Sequence, residues 1–210
     1  MFTKSIKKFV KQFLLQTPPA LNLENKNFSN NVKFYPYLDD KNNINNVHNY
    51  INNFGENNQD KIFYVIKRSP GTGLFSNVTF VLTHLIYAKK NGFIPIVDME
   101  NFITIYNEKN KINNNKNAWE YYFKNLSKFS LNEVYKSNKV IITNDKFYNT
   151  FKYNLSQDIE LKDLFNKEIF MSDNLLKIYE LIKKKYLNKK VLGIHFMGTS
   201  YNQSPGHPFP

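Results

Sequence analysis

The chain has 210 residues, of which 41% are hydrophobic and 16% aromatic, enough to bury one sizeable core, so a disordered tail is excluded. Cysteine is absent, which removes disulfide scaffolds, thiol catalysis and zinc–cysteine sites and fits a reducing compartment. The net charge of +12 predicts attraction to phosphates, nucleotide-linked donors or an anionic membrane face; yet almost all of it is lysine travelling with asparagine and isoleucine, as an AT-rich genome produces, and with arginine nearly absent no nucleic-acid partner is expected.

The first nineteen residues, MFTKSIKKFVKQFLLQTPP, place Phe2, Ile6, Phe9, Val10, Phe13 and Leu14 at helical spacing with lysines between them, and Thr17-Pro18-Pro19 stops the pattern. This basic amphipathic helix, assigned to residues 1–20, is too short and interrupted to span a bilayer. It suits either docking on the protein's own core or a peripheral membrane contact through residues 2–16. Residues 21–60 are asparagine-rich with scattered aromatics and read as an irregular lead-in.

The ordered part is expected from residue 61. IFYVIK, Ile62 to Lys67, is a β-branched and aromatic run that suits a buried strand. A break at Arg68-Ser69-Pro70-Gly71-Thr72-Gly73 precedes a helix from Phe75 to Lys90, with Val78, Val81, Leu82, Leu85 and Ile86 on one wide face and Asn91-Gly92 closing it. FIPIVD, Phe93 to Asp98, is the next strand, so strand, glycine loop, helix and strand make a βαβ unit with a parallel sheet. An asparagine and lysine loop follows, then a short aromatic helix from Ala118 to Phe123, and a strand from Lys139 to Thr143. A helix capped by Ser172 carries Leu175, Tyr179, Ile182 and Tyr186 on one face, and Val191 to Phe196 reads as a fourth strand. The fold class is therefore α/β: a Rossmann-like parallel sheet with flanking helices over residues 61–188.

Chemistry concentrates in two loops. SPGTGLFSN sits between a strand and a helix, where outward backbone amides favour an anion. It lacks the lysine of a P-loop NTPase. Gly71 and Gly73 give half a dinucleotide fingerprint, but Ser76 stands where the third glycine belongs, and the acid Asp98 comes later than the roughly twenty residues usual for the ribose contact. The plain alternative is a tight turn that needs glycine. Asn77 brings an amide to the strand-end edge where α/β proteins bind ligands. The terminal strand would deliver His195 and Thr199 to a similar edge. Asp98 and Glu100 follow a strand's carboxyl end, where a carboxylate can deprotonate a hydroxyl or cap a turn; Glu120 is a weaker candidate of the same kind. Trp119, Tyr121 and Tyr122 offer either sugar stacking or core. His84 reads as structural, and neither His48 nor His207 has metal-ligand spacing, so no metal site is expected.

The stretches Gly73-Leu74-Phe75-Ser76-Asn77 and Gly193-Ile194-His195-Phe196-Met197-Gly198-Thr199-Ser200 resemble the two signatures of the fucosyltransferase superfamily that includes the nodulation and core α1,6-fucosyltransferases and the protein O-fucosyltransferases. There the first is a glycine-rich loop of the form GxFxN or GLxxx, and the second a strand ending in H-x-R with a polar turn. The IPIVD strand and the segment Asn117 to Phe123 also look familial, so the resemblance spans residues 61–210. It implies the N-terminal half of a GT-B glycosyltransferase, two Rossmann-like halves across a cleft, moving fucose from GDP-fucose to a glycan or other hydroxyl acceptor without a metal or bound cofactor. Gly71, Gly73, Phe75 and Asn77 would lie at the cleft, and His195, Gly198, Thr199 and Ser200 on the donor side, with residues 189–210 opening a truncated donor domain.

Met197 stands where the family arginine belongs. A thioether cannot stabilise a leaving diphosphate, a loss commonly of about 3 to 4 kcal/mol, so the chain alone is expected to bind GDP-fucose poorly and turn over negligibly. The alternatives are a dinucleotide-binding oxidoreductase-like domain using Gly71, Gly73 and Asp98, and a catalytically inactive glycan- or nucleotide-binding module. The expected location is cytoplasmic or membrane-peripheral.

Overall fold

Four apolar residues in a row suit a strand covered on both faces, and Phe63–Ile66 forms such a strand, β3, with every residue buried. The computed structural model describes residues 31–35, 47–69, 73–144, 155–186 and 190. Before β3 come β1 (Phe34–Tyr35), a 3-10 turn at Val47–Tyr50 and β2 (Ile51–Asn52). After it come α1 (Leu74–Lys90), β4 (Ile94–Val97), α2 (Ala118–Tyr122), α3 (Leu131–Val134), β5 (Val140–Thr143), α4 (Leu155–Glu168) and α5 (Asp173–Tyr186). The sheet order is β1-β5-β3-β4, parallel throughout, with β2 antiparallel to β5. Since β3 holds one edge of β5, β1 and β2 divide the other: β1 faces Ile142 and Thr143, and β2 faces Ile141 and Val140.

α1 links the parallel neighbours β3 and β4 as the βαβ pattern requires. Its end is a Schellman turn: Gly92 takes φ +68°, its N–H donates to the Lys89 carbonyl, and the Phe93 N–H reaches back to Ala88 at 2.9 Å. The alternation of β3 sends Tyr64 and Ile66 to a cluster with Val78, Val81 and Leu82 of α1 and Trp119 of α2. Phe63 and Val65 go to a second cluster with Phe102, Val134 of α3, and Val140 and Ile142 of β5. Each fully buried side chain of this size contributes about 1.5–3 kcal/mol of transfer free energy, so helices and loops on both faces hold the strand ends in place.

The region expected to be an irregular lead-in contributes to the sheet instead. Two-residue strands leave no alternation to detect, and they are held by a side chain: Asn52, buried at the edge, donates to the carbonyls of Lys33, Tyr50 and Val140 and accepts from the Lys33 N–H. α3 and α4 are additions to the predicted elements. α3 opens with a capping box between Ser130 and Glu133. α4 lays Leu161, Leu164 and Phe165 against the first cluster and ties to α1 through the Lys89–Glu168 ion pair. The chain divides into two compact units between Asp173 and Asn174. The expected helix of residues 1–20 and the strand Val191–Phe196 lie outside the described residues.

Candidate functional site

Chain order turns around at β3: α1 carries the chain from β3 to β4 on one side, and the path after β4 returns to β5 on the other. Such a switch point opens a crevice beyond the carboxyl ends of the two central strands. Here the edge is sewn by backbone and hydroxyl. The Lys67 N–H donates to Thr143 Oγ1 at 3.0 Å, the Asn144 N–H to the Tyr35 carbonyl at 3.0 Å, and Ser69 Oγ to the Ile103 carbonyl at 2.7 Å. Lys67 Nζ lies over the rings of Phe34 and Phe102, 4.4 and 4.9 Å from their centroids. Arg68, the sole arginine in the chain, sits 4.6 Å over Phe80.

Behind this edge His84 is buried beside Phe80, its Nδ1 2.9 Å from the Tyr64 hydroxyl. Burial, and after it the Arg68 charge, hold its pKa down at about 3. His84 is thus a neutral core residue, as its sequence position suggests.

α1 begins at this edge with Gly73 as N-cap, and no side chain caps it. Gly73 has φ −53°, and a Cβ added there would meet nothing within 4 Å. Among the described residues neither backbone strain nor crowding requires glycine at 73. Phe75 beside it is 71% exposed, a large apolar surface left in water at a helix start. Asn77 is buried one turn in, its N–H bonded to the Gly73 carbonyl at 3.1 Å. Gly71, His195, Met197, Gly198, Thr199 and Ser200 lie outside the described residues, so of the expected site the described residues bring together Gly73, Phe75 and Asn77.

Asp98 also stands on this edge, but its carboxylate is committed to the fold. Oδ1 accepts from the Glu100 and Asn101 N–H groups at 3.0 and 2.8 Å; Oδ2 accepts from Asn101 Nδ2 at 2.9 Å and from the Tyr135 hydroxyl at 2.6 Å. Burial raises its pKa while these bonds, Tyr135 first, pull it back. The same burial, joined by the Asp98 charge, pushes the Tyr135 phenol well above its usual value. With four donors on two oxygens, Asp98 organises the turn after β4 and ties it to α3. Glu100, two residues on, is half-buried, and its carboxylate takes no hydrogen bond among the described residues.

The loop from 107 to 117 reads as low complexity, yet nearly every asparagine in it has a backbone task. Asn107 Oδ1 accepts from the N–H and hydroxyl of buried Thr104, and its Nδ2 donates to the carbonyls of Met99 and Lys116. Asn113 and Asn114 take φ of +52° and +64° between Ile112 and Asn115, which exchange both backbone bonds, a two-residue turn that asparagine tolerates. Asn117, buried, accepts from the N–H groups of Met99 and Trp119 and donates to the Val97 carbonyl at 2.8 Å and to Glu120 at 3.0 Å. One side chain therefore joins the end of β4 to the start of α2. Trp119 and Tyr121 are core, Trp119 donating from Nε1 to the Lys124 carbonyl, and so offer no stacking face.

Between this loop and residues 125–132 opens a hollow of about 580 Å³. Glu100 and Glu120 line it together with Lys111, Lys116, Lys128 and Phe129. No ion pair joins these five charged groups among the described residues. In the sequence Glu100 and Glu120 stand out only separately; the fold places both on the wall of one hollow with the three lysines. Among the described residues no group of three or more histidines or acids gathers to hold a metal, and no helix is long and apolar enough to cross a membrane. No family model, curated protein or solved structure matches the chain.

Proposed function

We propose that the chain is the N-terminal half of a GT-B glycosyltransferase of the fucosyltransferase-like class, which takes GDP-fucose as donor and a glycan or other hydroxyl compound as acceptor. The observation that carries the reading is the helix start at the sheet's switch point: among the described residues a 17-residue helix begins there without a side-chain cap, on a glycine that neither strain nor crowding requires, beside an exposed phenylalanine. Backbone amides at such a start favour a diphosphate, a bare Gly73 lets it come close to the backbone, and Phe75 offers a face to a base or sugar. The residues are those of the Gly73–Asn77 signature, which supports the family reading over a chance turn.

The runner-up, a nicotinamide-dinucleotide domain, needs an acid free to take a ribose diol. Asp98, with both oxygens filled from within, is poorly placed to accept from a ribose diol, and this favours the sugar-nucleotide reading.

The test is a titration of isotope-labelled protein with GDP-fucose into the millimolar range, followed by backbone amide shifts. The reading expects saturable shifts clustered at Ser69 and Gly73 to Asn77, weak in affinity because the arginine of the second signature is Met197. Shifts there with NAD and none with GDP-fucose would move the protein to the dinucleotide class, and silence with both would end both readings.

A further inference from the structure

We infer that the hollow between the 107–117 loop and residues 125–132 is a binding site for a neutral sugar residue. Three features on its walls select that chemistry. The carboxylates of Glu100 and Glu120 lie there without a cationic partner. Among the described residues the Glu100 carboxylate takes no hydrogen bond and that of Glu120 takes only the side-chain amides of Asn115 and Asn117, which leaves lone pairs to accept hydroxyl protons. Amide and hydroxyl groups of Asn114, Asn125, Asn132 and Ser127 stand beside them, able to donate or accept, as a ring of hydroxyls requires. Phe129, T-shaped against Phe63 with centroids 5.0 Å apart and with Lys128 Nζ over its ring at 5.6 Å, lines the hollow and adds apolar surface for a sugar ring.

Charge decides against other ligands. The chain carries +12 overall, but the hollow holds two carboxylates against three lysines, a local balance near neutral. An anion would meet Glu100 and Glu120, a cation the three lysines, and a neutral polyol neither penalty. A volume of about 580 Å³ falls inside the ordinary range of small-ligand sites, about 300–1,000 Å³, and leaves room for more than one water-filled corner around a ring.

The site goes beyond the donor reading and rests on it only for the name acceptor; sugar binding itself needs no nucleotide. The experiment titrates the protein, without nucleotide, with fucose, galactose, N-acetylglucosamine and lactose, and with glucuronate and mannose 6-phosphate as charged counterparts, following backbone amide shifts and heat. The expected result is saturable binding of at least one neutral sugar, with shifts confined to residues 98–101, 111–120 and 125–132. Glu100→Gln, at a carboxylate that takes no hydrogen bond or ion pair among the described residues, should keep the melting temperature and weaken that sugar about tenfold or more, the value of one charge-assisted hydrogen bond. Binding only of the charged sugars, no binding at all, shifts confined to other residues, or an unchanged affinity in Glu100→Gln would each overturn the site. Neutral-sugar binding here with GDP-fucose silent at Gly73–Asn77 would keep the hollow and discard the donor.

Discussion

The two loops that leave the sheet's carboxyl edge are built on opposite economies. After β4, Asp98, Asn107 and Asn117 spend their polar atoms on neighbouring backbone, so the loop's sequence is consumed by its own shape. After β3, Gly73 meets no steric demand, Phe75 is left in water and the helix start lacks a side-chain cap. The contrast separates residues that explain the fold from residues that the fold leaves unexplained, and the second kind are where a ligand is to be sought.

Asn117→Ala should strike the first loop hardest. It leaves the Val97 carbonyl and the Met99 N–H without the partner seen here, at about 1–3 kcal/mol for each buried group so stranded. Urea unfolding should therefore lose about 3 kcal/mol, and a loss below about 1 kcal/mol would mean the loop holds its shape without its asparagines.

His84 tests the ground beneath the β3 edge. Unfolded, its imidazole titrates near 6.5, while folded it stays neutral down to about 3. Its share of stability is whole above pH 6.5 and lost as pH falls toward 3, at about 1.4 kcal/mol per unit, so roughly 2 kcal/mol is gone by pH 5. Buried Asp98, its pKa raised, works the other way, favouring the folded state as pH falls toward its ordinary value. The wild-type profile minus that of His84→Gln removes this term. The difference should slope through pH 6.5 to 5, and a flat difference would mean that this histidine of α1 is solvated.

Gly73→Ala should do least to the fold, under about 1 kcal/mol at a helix N-cap, because its Cβ enters open space. If the melting temperature instead collapses, glycine at 73 serves the fold and the contrast between the loops disappears.

How far the sequence alone leads follows the same division. The βαβ unit was legible because β3 and β4 are unbroken apolar runs and α1 has a full apolar face with an asparagine–glycine stop; its observed ends differ from expectation by a residue or so. β1 and β2 were hidden because two residues show no period, and their anchor is one side chain, Asn52, inside an asparagine-rich stretch. α4 was hidden because Leu161, Leu164 and Phe165 are outnumbered by charged neighbours and gain their place only from α1. Asp98 was legible as a strand-end acid, but its four donors come from residues 100, 101 and 135, and Tyr135 is 37 residues away, so its role as a turn organiser required the fold. The hollow is further still from any linear signal, since its lining comes from Glu100, residues 111–120 and residues 125–132.

The most direct test of the central proposal is the GDP-fucose titration run beside NAD on wild-type protein and Gly73→Ala. The account predicts saturable amide shifts at Ser69 and Gly73–Asn77 with GDP-fucose, weakened in Gly73→Ala while its melting temperature is kept. Shifts with NAD alone, or GDP-fucose shifts indifferent to the added methyl group, would contradict it.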